Sequence, residues 1–334
     1  MRGLHPPRVP HSTMTMRLHS TLAFLLPTAL VAQDPGMGET PVSEPTTMPP
    51  SYQAPSQSGQ AAPTAPSTLR GRLGLDFTNG YYFRGILQEN QGLIAQPWIE
   101  FGYDLVDPSE DLRKLELRFG SFNTLENNKR FGNGEIWYES DFYIDLTAGL
   151  GERLTLGARY TAYTSPNSTF NAARRFGLQK TVQELAFTFG YDDRNLLLNS
   201  IDSGIQPYAK VAFELDGQRD NGVVGNEGIY AEFGLRPSFR LVEDDPYLRL
   251  SIPVTLGFSL GNYYESIGGR NDDAFGYFDI GAEVSTALNF LPQRMGPWQV
   301  HGGLHWLLLG DNLEARNGGD TSELILSVGM STSW

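Results

Sequence analysis

In many segments of the chain, charged residues alternate with apolar ones. Asp76, for example, stands between Leu75 and Phe77. Successive side chains of a strand point to opposite faces, so each such segment would carry one charged and one apolar face. If the apolar faces meet lipid, the charged faces enclose a lumen in which both signs form either a selectivity filter or a structural charge network. The candidate lining or constriction residues are Arg84, Arg72, Asp76, Glu100, Glu116, Arg118, Asp141 and Arg159.

Arg84 is the preferred constriction residue. The run Tyr-Tyr-Phe-Arg-Gly over 81–85 follows the first apolar segment and would place this guanidinium near the outer mouth.

A second chemistry needs histidine and serine. His301 and His305 share one face of a segment, and Ser327 and Ser331 lie on the lumen face of the next, which leaves a lipid-modifying hydrolase as an alternative. A serine hydrolase needs His within hydrogen-bond reach of Ser, an orienting acid and oxyanion donors, and no local motif enforces that geometry. Histidines four apart on a strand are also ~13 Å apart, too far to share a metal. We therefore predict no catalytic residue, no metal and no cofactor.

These side chains depend on strands for their positions. Period-two alternation begins at Leu69 and returns in twelve segments: 69–77, 95–103, 115–120, 141–148, 154–160, 184–191, 205–215, 228–240, 247–260, 276–290, 298–309 and 322–334. Such segments are long enough for tilted strands that cross a bilayer, which takes about 9–11 residues. The sequence predicts an all-β fold, an antiparallel transmembrane β-barrel of about 12 strands (about 10–14, given the uncertainty of boundaries) over 69–334.

Connection lengths support that topology. Long polar connections at 87–92, 122–135, 164–182, 216–227, 261–275 and 310–322 alternate with short ones, as in outer-membrane barrels. Aromatic residues near strand ends predict two interface girdles. We expect an outer girdle of Tyr81, Tyr82, Trp137, Tyr163, Tyr230, Tyr263 and Tyr277, and an inner one of Tyr103, Tyr191, Tyr247, Phe290, Trp298 and Trp334.

Four prolines count against closure, because Pro97, Pro207, Pro237 and Pro253 each remove a donor from a strand ladder. We expect them at strand ends or bulges.

The last segment, 322–334, alternates and stops at Trp334. A final amphipathic strand with a terminal aromatic residue is the signal that the barrel-assembly machinery reads, so Trp334 is the predicted assembly signal.

The N-terminal part is different. Arg17 precedes an apolar run that ends at Ala32, which predicts a signal peptide over 1–32, with Met14 or Met16 as an alternative start. Residues 33–68 are rich in Pro, Ser and Thr and predict a disordered linker. We expect export through the general secretory pathway, a cell outer membrane location and a periplasmic N-terminal tail.

The net charge of −13 and the absence of a basic cluster argue against nucleic-acid binding. The chain has no cysteine, so an exported protein of this kind must be stable without disulfides. A closed barrel achieves this, because all its strand hydrogen bonds are mutually satisfied.

Residues 73–105 carry a resemblance. Within FTNGYYFRGILQ (77–88), Phe77, Thr78, 82–86 and Gln88 follow a "TSDYxFRGISQ"-like pattern, with Asn79-Gly80 in place of Ser-Asp, and weaker echoes follow to about residue 190. This segment resembles the opening of the Gcw_chp family of bacterial outer-membrane proteins. The resemblance implies an outer-membrane, porin-like barrel and implies no substrate.

The favoured interpretation is a porin-like barrel for passive diffusion of small solutes or ions, or a structural outer-membrane protein. Its expected partners are outer-membrane lipid, the assembly machinery and the solutes themselves. Besides the hydrolase, the alternative is an exported soluble β-sandwich or solenoid that acts as a binding module.

Overall fold

The structure is a computed structural model and describes residues 69–126, 136–166, 180–194, 196, 203–216, 227–242, 245–266 and 271–334. The predicted signal peptide and linker lie outside these residues. Within the described ranges, no helix is both long and apolar enough to cross a membrane.

Nearly all the regular secondary structure of the described residues is strand. They are β1 (Leu69–Thr78), β2 (Tyr81–Phe83), β3 (Ile86–Glu89), β4 (Ile94–Asp104), β5 (Leu112–Glu126), β6 (Trp137–Leu150), β7 (Leu154–Ser165), β8 (Lys180–Tyr191), β9 (Tyr208–Asp216), β10 (Ile229–Leu235), β11 (Ser238–Val242), β12 (Asp245–Ser251), β13 (Val254–Gly261), β14 (Phe275–Ala287), β15 (Trp298–Leu309) and β16 (Ser322–Ser333). A 3-10 helix (Gln293–Met295) and the short helix α1 (Asp311–Arg316) lie in connections.

The sheet closes on itself. The strands that form the barrel wall, which we call wall strands, each pair antiparallel with their neighbours. The order begins with β1 and β4 and ends with β15 and β16. β16 then pairs with β1, from Arg72 opposite Ser333 to Thr78 opposite Ser327. β10 and β11 together form one interrupted wall strand, and so do β12 and β13. Because β2 and β3 form a separate hairpin, the barrel wall has twelve strands. The predicted closed antiparallel barrel of about twelve strands is confirmed.

Three of the four prolines sit at interruptions or ends. Pro237 lies between β10 and β11, Pro253 lies between β12 and β13, and Pro207 directly precedes β9. The backbone stays paired across the first break, because the amide of Ile252 donates to the Pro237 carbonyl at 2.9 Å. Of these four, only Pro97 lies inside a strand, opposite Leu75.

The seam between β16 and β1 ends at Trp334. Its backbone exchanges two hydrogen bonds of 2.9 Å with Gly71, and its indole covers that glycine. A Cβ atom on Gly71 would lie 2.3 Å from the indole ring, so the close packing requires glycine there.

The outer face of the wall is apolar. Alternate residues of β16 leave their side chains largely exposed while Ile325, Gly329 and Ser331 between them are buried, and the same alternation runs round the barrel. Exposed outward side chains include Phe119, Phe142, Ile144, Leu146, Phe187, Phe189, Phe233, Leu304, Trp306, Leu324, Leu326 and Val328. The exterior is therefore suited to hydrocarbon and the interior to polar groups.

Leu304, near the middle of β15, is 49% exposed and tests this outer face. Leu304→Arg is expected to lower the free energy of unfolding from phospholipid vesicles by about 2–4 kcal/mol, because a charge would enter hydrocarbon. Urea titration measures this. Leu304→Phe is the matched control and should change stability little; an equal loss in both variants would contradict a lipid-facing wall.

Candidate functional site

The interior at the end of the barrel that holds both Leu69 and Ser333 is a charge network; we call this end the terminal end. Arg118 donates to Asp145 at 2.9 Å, and Arg159 donates to the other oxygen of Asp145 at 3.0 Å. Arg72 pairs with Glu100, which also accepts a 2.8 Å hydrogen bond from a tyrosine hydroxyl, that of Tyr143. All six side chains are presented by neighbouring strands, β1 and β4–β7.

Glu116 extends this network toward the terminal end. It is 4% exposed and pairs with Arg70 and, at 2.8 Å, with Lys114, while the Nε of Arg118 lies 3.7 Å away. Three cations therefore surround this one carboxylate.

A separate contact joins β1 to β15 across β16. Asp76 is hydrogen-bonded to His301 and accepts a 3.0 Å bond from the indole of Trp98. The side chains of Asp76 and His301 meet over Gly329, where a Cβ atom would lie 1.9 Å from the Asp76 carboxylate. Glycine is therefore what lets partners from next-but-one strands touch.

The opposite wall has its own pairs. Lys210 on β9 lies 2.9 Å from Glu232 on β10, and both are nearly fully buried. On β14 and β15, His305 contacts Asp279 through Nδ1 at 2.9 Å and Glu283 through Nε2 at 3.1 Å.

These ion pairs run along the wall, between adjacent or next-but-one strands. Each charge is neutralised beside the strand that carries it, so the pairs do not brace one side of the barrel against the other. Of the eight predicted lining residues, the structure gathers Arg72, Glu100, Glu116, Arg118 and Arg159 into one network. Asp76 belongs to the histidine contact, whereas Asp141 and Arg84 lie nearer the other end, where the long connections are and which we call the loop end.

The first connection at the loop end folds inward as a hairpin, β2 and β3, which we call the plug hairpin (81–89). Its side chains are enclosed by the barrel: Tyr81 is 0%, Arg84 3% and Glu89 0% exposed. The hydroxyl of Tyr81 donates to Glu139 at 2.6 Å, and the hydroxyl of Tyr138 donates to Gln88 at 2.9 Å.

Arg84 sits at the tip of the plug hairpin in an aromatic cage. Its two terminal nitrogens donate to the two oxygens of Glu184 on β8, at 2.6 and 2.8 Å. One of them also donates to the hydroxyl of Tyr263 at 3.0 Å. The guanidinium carbon lies 4.1 Å from the ring centre of Tyr230 and 4.8 Å from that of Phe83. A bidentate ion pair and cation–π contacts together hold this side chain firmly.

The ionisation of this cage is fixed. Burial alone would lower the pKa of Arg84, but Glu184 outweighs it and raises that pKa above its usual range. Burial raises the pKa of Tyr263 despite the opposing effect of Arg84, so its hydroxyl stays neutral. The guanidinium therefore stays charged and the Tyr263 hydroxyl stays neutral across the physiological pH range.

The backbone of the plug hairpin is pinned as well. The hydroxyl of Tyr264 donates to the Arg84 carbonyl at 3.0 Å. The amide side chain of Asn317, just after α1, donates to the Gly85 carbonyl at 2.8 Å and accepts from the Leu87 amide at 3.0 Å. Arg84 has φ of 51°, a left-handed conformation that costs a non-glycine residue of order 1–3 kcal/mol. The surrounding contacts hold it there.

The predicted outer girdle is wrong for most of its members. Tyr81, Tyr82, Tyr230, Tyr263 and Tyr277 are at most 3% exposed and face the interior. Trp137, in contrast, is 45% exposed on the outside. Tyr81 and Tyr82 belong to the plug hairpin itself. Tyr230, Tyr263 and Tyr277 sit near strand ends as the sequence indicates, but they pack around the tip of the hairpin, where Arg84 needs hydroxyl and ring partners.

The histidines and serines considered for hydrolysis are not assembled. Both nitrogens of His305 contact carboxylates, and Ser331 accepts a 3.0 Å hydrogen bond from Gln299. No hydrogen bond joins either histidine to Ser327 or Ser331, all of which lie in described segments. The described residues also contain no group of three or more His, Cys, Asp or Glu side chains that could hold a metal.

No family model and no curated protein matches the sequence, so the Gcw_chp resemblance stays a prediction. Among solved structures, an outer membrane channel from Pseudomonas putida F1 is 15% identical, with 82% of this chain and 100% of that chain covered and a TM-score of 0.46. Outer membrane phospholipase A from Escherichia coli is 8% identical, with 79% and 92% covered and a TM-score of 0.40. Neither likeness carries an argument about activity.

Sequence reasoning missed the plug hairpin and most of its partners. Asn79-Gly80 is a turn signal and Gly85 follows five positions after Gly80, a spacing that could have revealed a short hairpin. No local sequence pattern identifies Asn317 or Tyr264 as partners of the plug hairpin, because each is more than 170 residues away in sequence from the residue that it contacts.

Asn317→Ala tests the pinning of the plug hairpin. We expect a loss of about 1–3 kcal/mol of unfolding free energy, because the Gly85 carbonyl and the Leu87 amide would be buried without partners. Urea unfolding of refolded protein gives the value. The control is Asn271→Ala, which removes an exposed amide from a nearby loop. Equal stability of the two variants would contradict the role of Asn317.

Proposed function

We propose that this chain is an outer-membrane β-barrel. The closed ring of backbone pairs, the apolar outer face and the charged inner face support this, because lipid leaves no partner for an unpaired strand edge. In this proposal the terminal end faces the periplasm and the loop end faces outward. Residues 1–32 direct export through the secretory pathway, and the assembly machinery reads Trp334.

Within that membrane we propose a narrow pore for ions or small solutes, whose loop end the plug hairpin closes. The observation that carries this is the arrangement of the interior charges. Toward the terminal end they are neutralised along the wall, strand to strand, whereas the segment that occupies the loop end belongs to no wall strand. A barrel with a purely structural role is an alternative function for the same fold.

Conductance in planar bilayers tests the pore. A variant in which residues 81–89 are replaced by an equally long Gly-Ser segment is expected to give steady, ion-selective conductance steps. The native chain should give brief or much smaller steps, because the plug hairpin blocks the path.

The matched control replaces 105–111, at the terminal end, by a Gly-Ser segment of the same length; it should conduct like the native chain. Sealed bilayers with the 81–89 replacement, from protein that migrates as a folded barrel, would contradict the pore and favour a structural barrel.

The proposed pore has no hydrolytic function. Phospholipid hydrolysis by the refolded chain is expected at the background rate, and His305→Ala should leave it there, because both His305 nitrogens are bonded to carboxylates. Release of radiolabelled fatty acid measures it. Ser331→Ala is the companion variant. Hydrolysis by the native chain that either substitution abolishes would support the hydrolase hypothesis and contradict this prediction.

A further inference from the structure

Two connections at the loop end hold the tip of the plug hairpin between them. The first joins β15 to β16 over 310–321 and contains α1; we call it the helix connection. The second joins β13 to β14, is described at 262–266 and 271–274, and is called the tyrosine connection. In their described residues neither adds a strand to the wall, so either connection can move without opening the ladder of wall strands.

The helix connection touches the plug hairpin directly. Leu313 is 1% exposed, and a Cβ atom on Gly85 would lie 2.6 Å from its Cδ1 atom, so this leucine packs against bare backbone at the hairpin tip. Asn317 adds two hydrogen bonds to the same tip. Asp311 and Ala315 are exposed on the other side of α1. The short helix therefore has one face on the plug hairpin and one face in solvent.

The tyrosine connection holds the neighbouring residue of the tip. Tyr264 donates its hydroxyl to the Arg84 carbonyl, and its ring covers Gly276 of β14, where a Cβ atom would lie 2.0 Å from the ring. Its amide donates to the carboxylate of Asp272 at 2.9 Å. The other oxygen of that carboxylate accepts a 2.6 Å hydrogen bond from Ser259. Tyr264 is thus fixed to the wall through both its ring and its backbone.

The two connections are also bonded to each other, through Asn312. Its side-chain amide donates to the Tyr264 carbonyl at 2.7 Å, and its backbone amide donates to the Asp273 carboxylate at 2.9 Å. Asn312 is 8% exposed, and among the described residues none of its hydrogen bonds goes to the plug hairpin. Removing one partner of a buried hydrogen bond leaves the other unsatisfied, so displacing one connection loosens the other.

We propose that the helix connection is a latch, which must be displaced together with Tyr264 before the plug hairpin can leave the loop end. Asn312 is the positioning residue that joins the two. The ion pair between Arg84 and Glu184 is enclosed by the barrel, whereas the latch has a solvent-exposed face, so a molecule outside the barrel reaches the latch first. This inference rests on the proposed closure of the pore and assigns the control of that closure to the loop-end surface.

Thiol labelling of the refolded full chain tests the latch without any conductance measurement. Ala186 is 4% exposed and lies in the same buried cluster as Tyr264 and Leu313, so Ala186→Cys should react slowly with an impermeant maleimide. Adding Asn312→Ala should raise the rate about tenfold, which corresponds to about 1.4 kcal/mol of lost hydrogen bonding. Asp311→Ala, on the exposed side of the same helix, is the matched control and should leave the rate unchanged.

A double-mutant cycle separates the latch from a general loss of stability. Tyr264→Phe removes the donor to the Arg84 carbonyl and should also raise the rate at Ala186→Cys. Together with Asn312→Ala it should raise the rate by clearly less than the product of the two separate effects, because both changes release the same contact. Thr155→Cys, inside the terminal end and 7% exposed in the native chain, should label at its native rate in every variant.

Three results would overturn the latch. They are a native labelling rate at Ala186→Cys in the presence of Asn312→Ala, effects of Asn312→Ala and Tyr264→Phe that multiply fully, and an equal acceleration at Thr155→Cys, which would mean that the whole barrel had loosened. Sealed bilayers with the 81–89 replacement would contradict the pore and would change none of these rates. Failure of the latch and failure of the pore are therefore distinguishable.

Discussion

Closure of the strand ladder is the constraint on which the rest of this structure depends. Once β16 pairs with β1, every wall strand has two neighbours and two faces, and the period of two sends alternate side chains outward and inward. The outward set is apolar, so the charges carried by the wall strands at membrane depth face the interior, where most of them pair. Breaks at Pro237 and Pro253 are tolerated because the ladder continues on both sides of each.

Neutralisation inside the barrel takes two forms. Toward the terminal end, charges such as Arg118 and Asp145 pair with neighbours on the wall. Toward the loop end, Glu184 on the wall is neutralised by Arg84 on an inward hairpin, so the charge balance of the wall depends on a segment outside it. An ion pair of this kind couples the electrostatics of the interior to the position of the plug hairpin.

The sequence predicted the barrel, the strand count and the inward charges, because a period of two is a local property that neighbouring residues carry. It could place Arg84 near one mouth, but not its partner Glu184, which is 100 residues away. The tyrosines show the same limit. Their positions near strand ends were readable, whereas the inward turn of Tyr230 and Tyr263 depends on a hairpin that only the closed fold positions.

Thiol labelling tests most directly whether the plug hairpin closes the loop end, since the chain has no cysteine of its own. Ala212 lies inside the barrel, 1% exposed, in the buried cluster with Tyr230 and Tyr263. A single Ala212→Cys substitution should resist a membrane-impermeant maleimide in the otherwise native chain. It should react many times faster once Arg84→Ala is added. Equal, rapid labelling of both proteins would contradict the account.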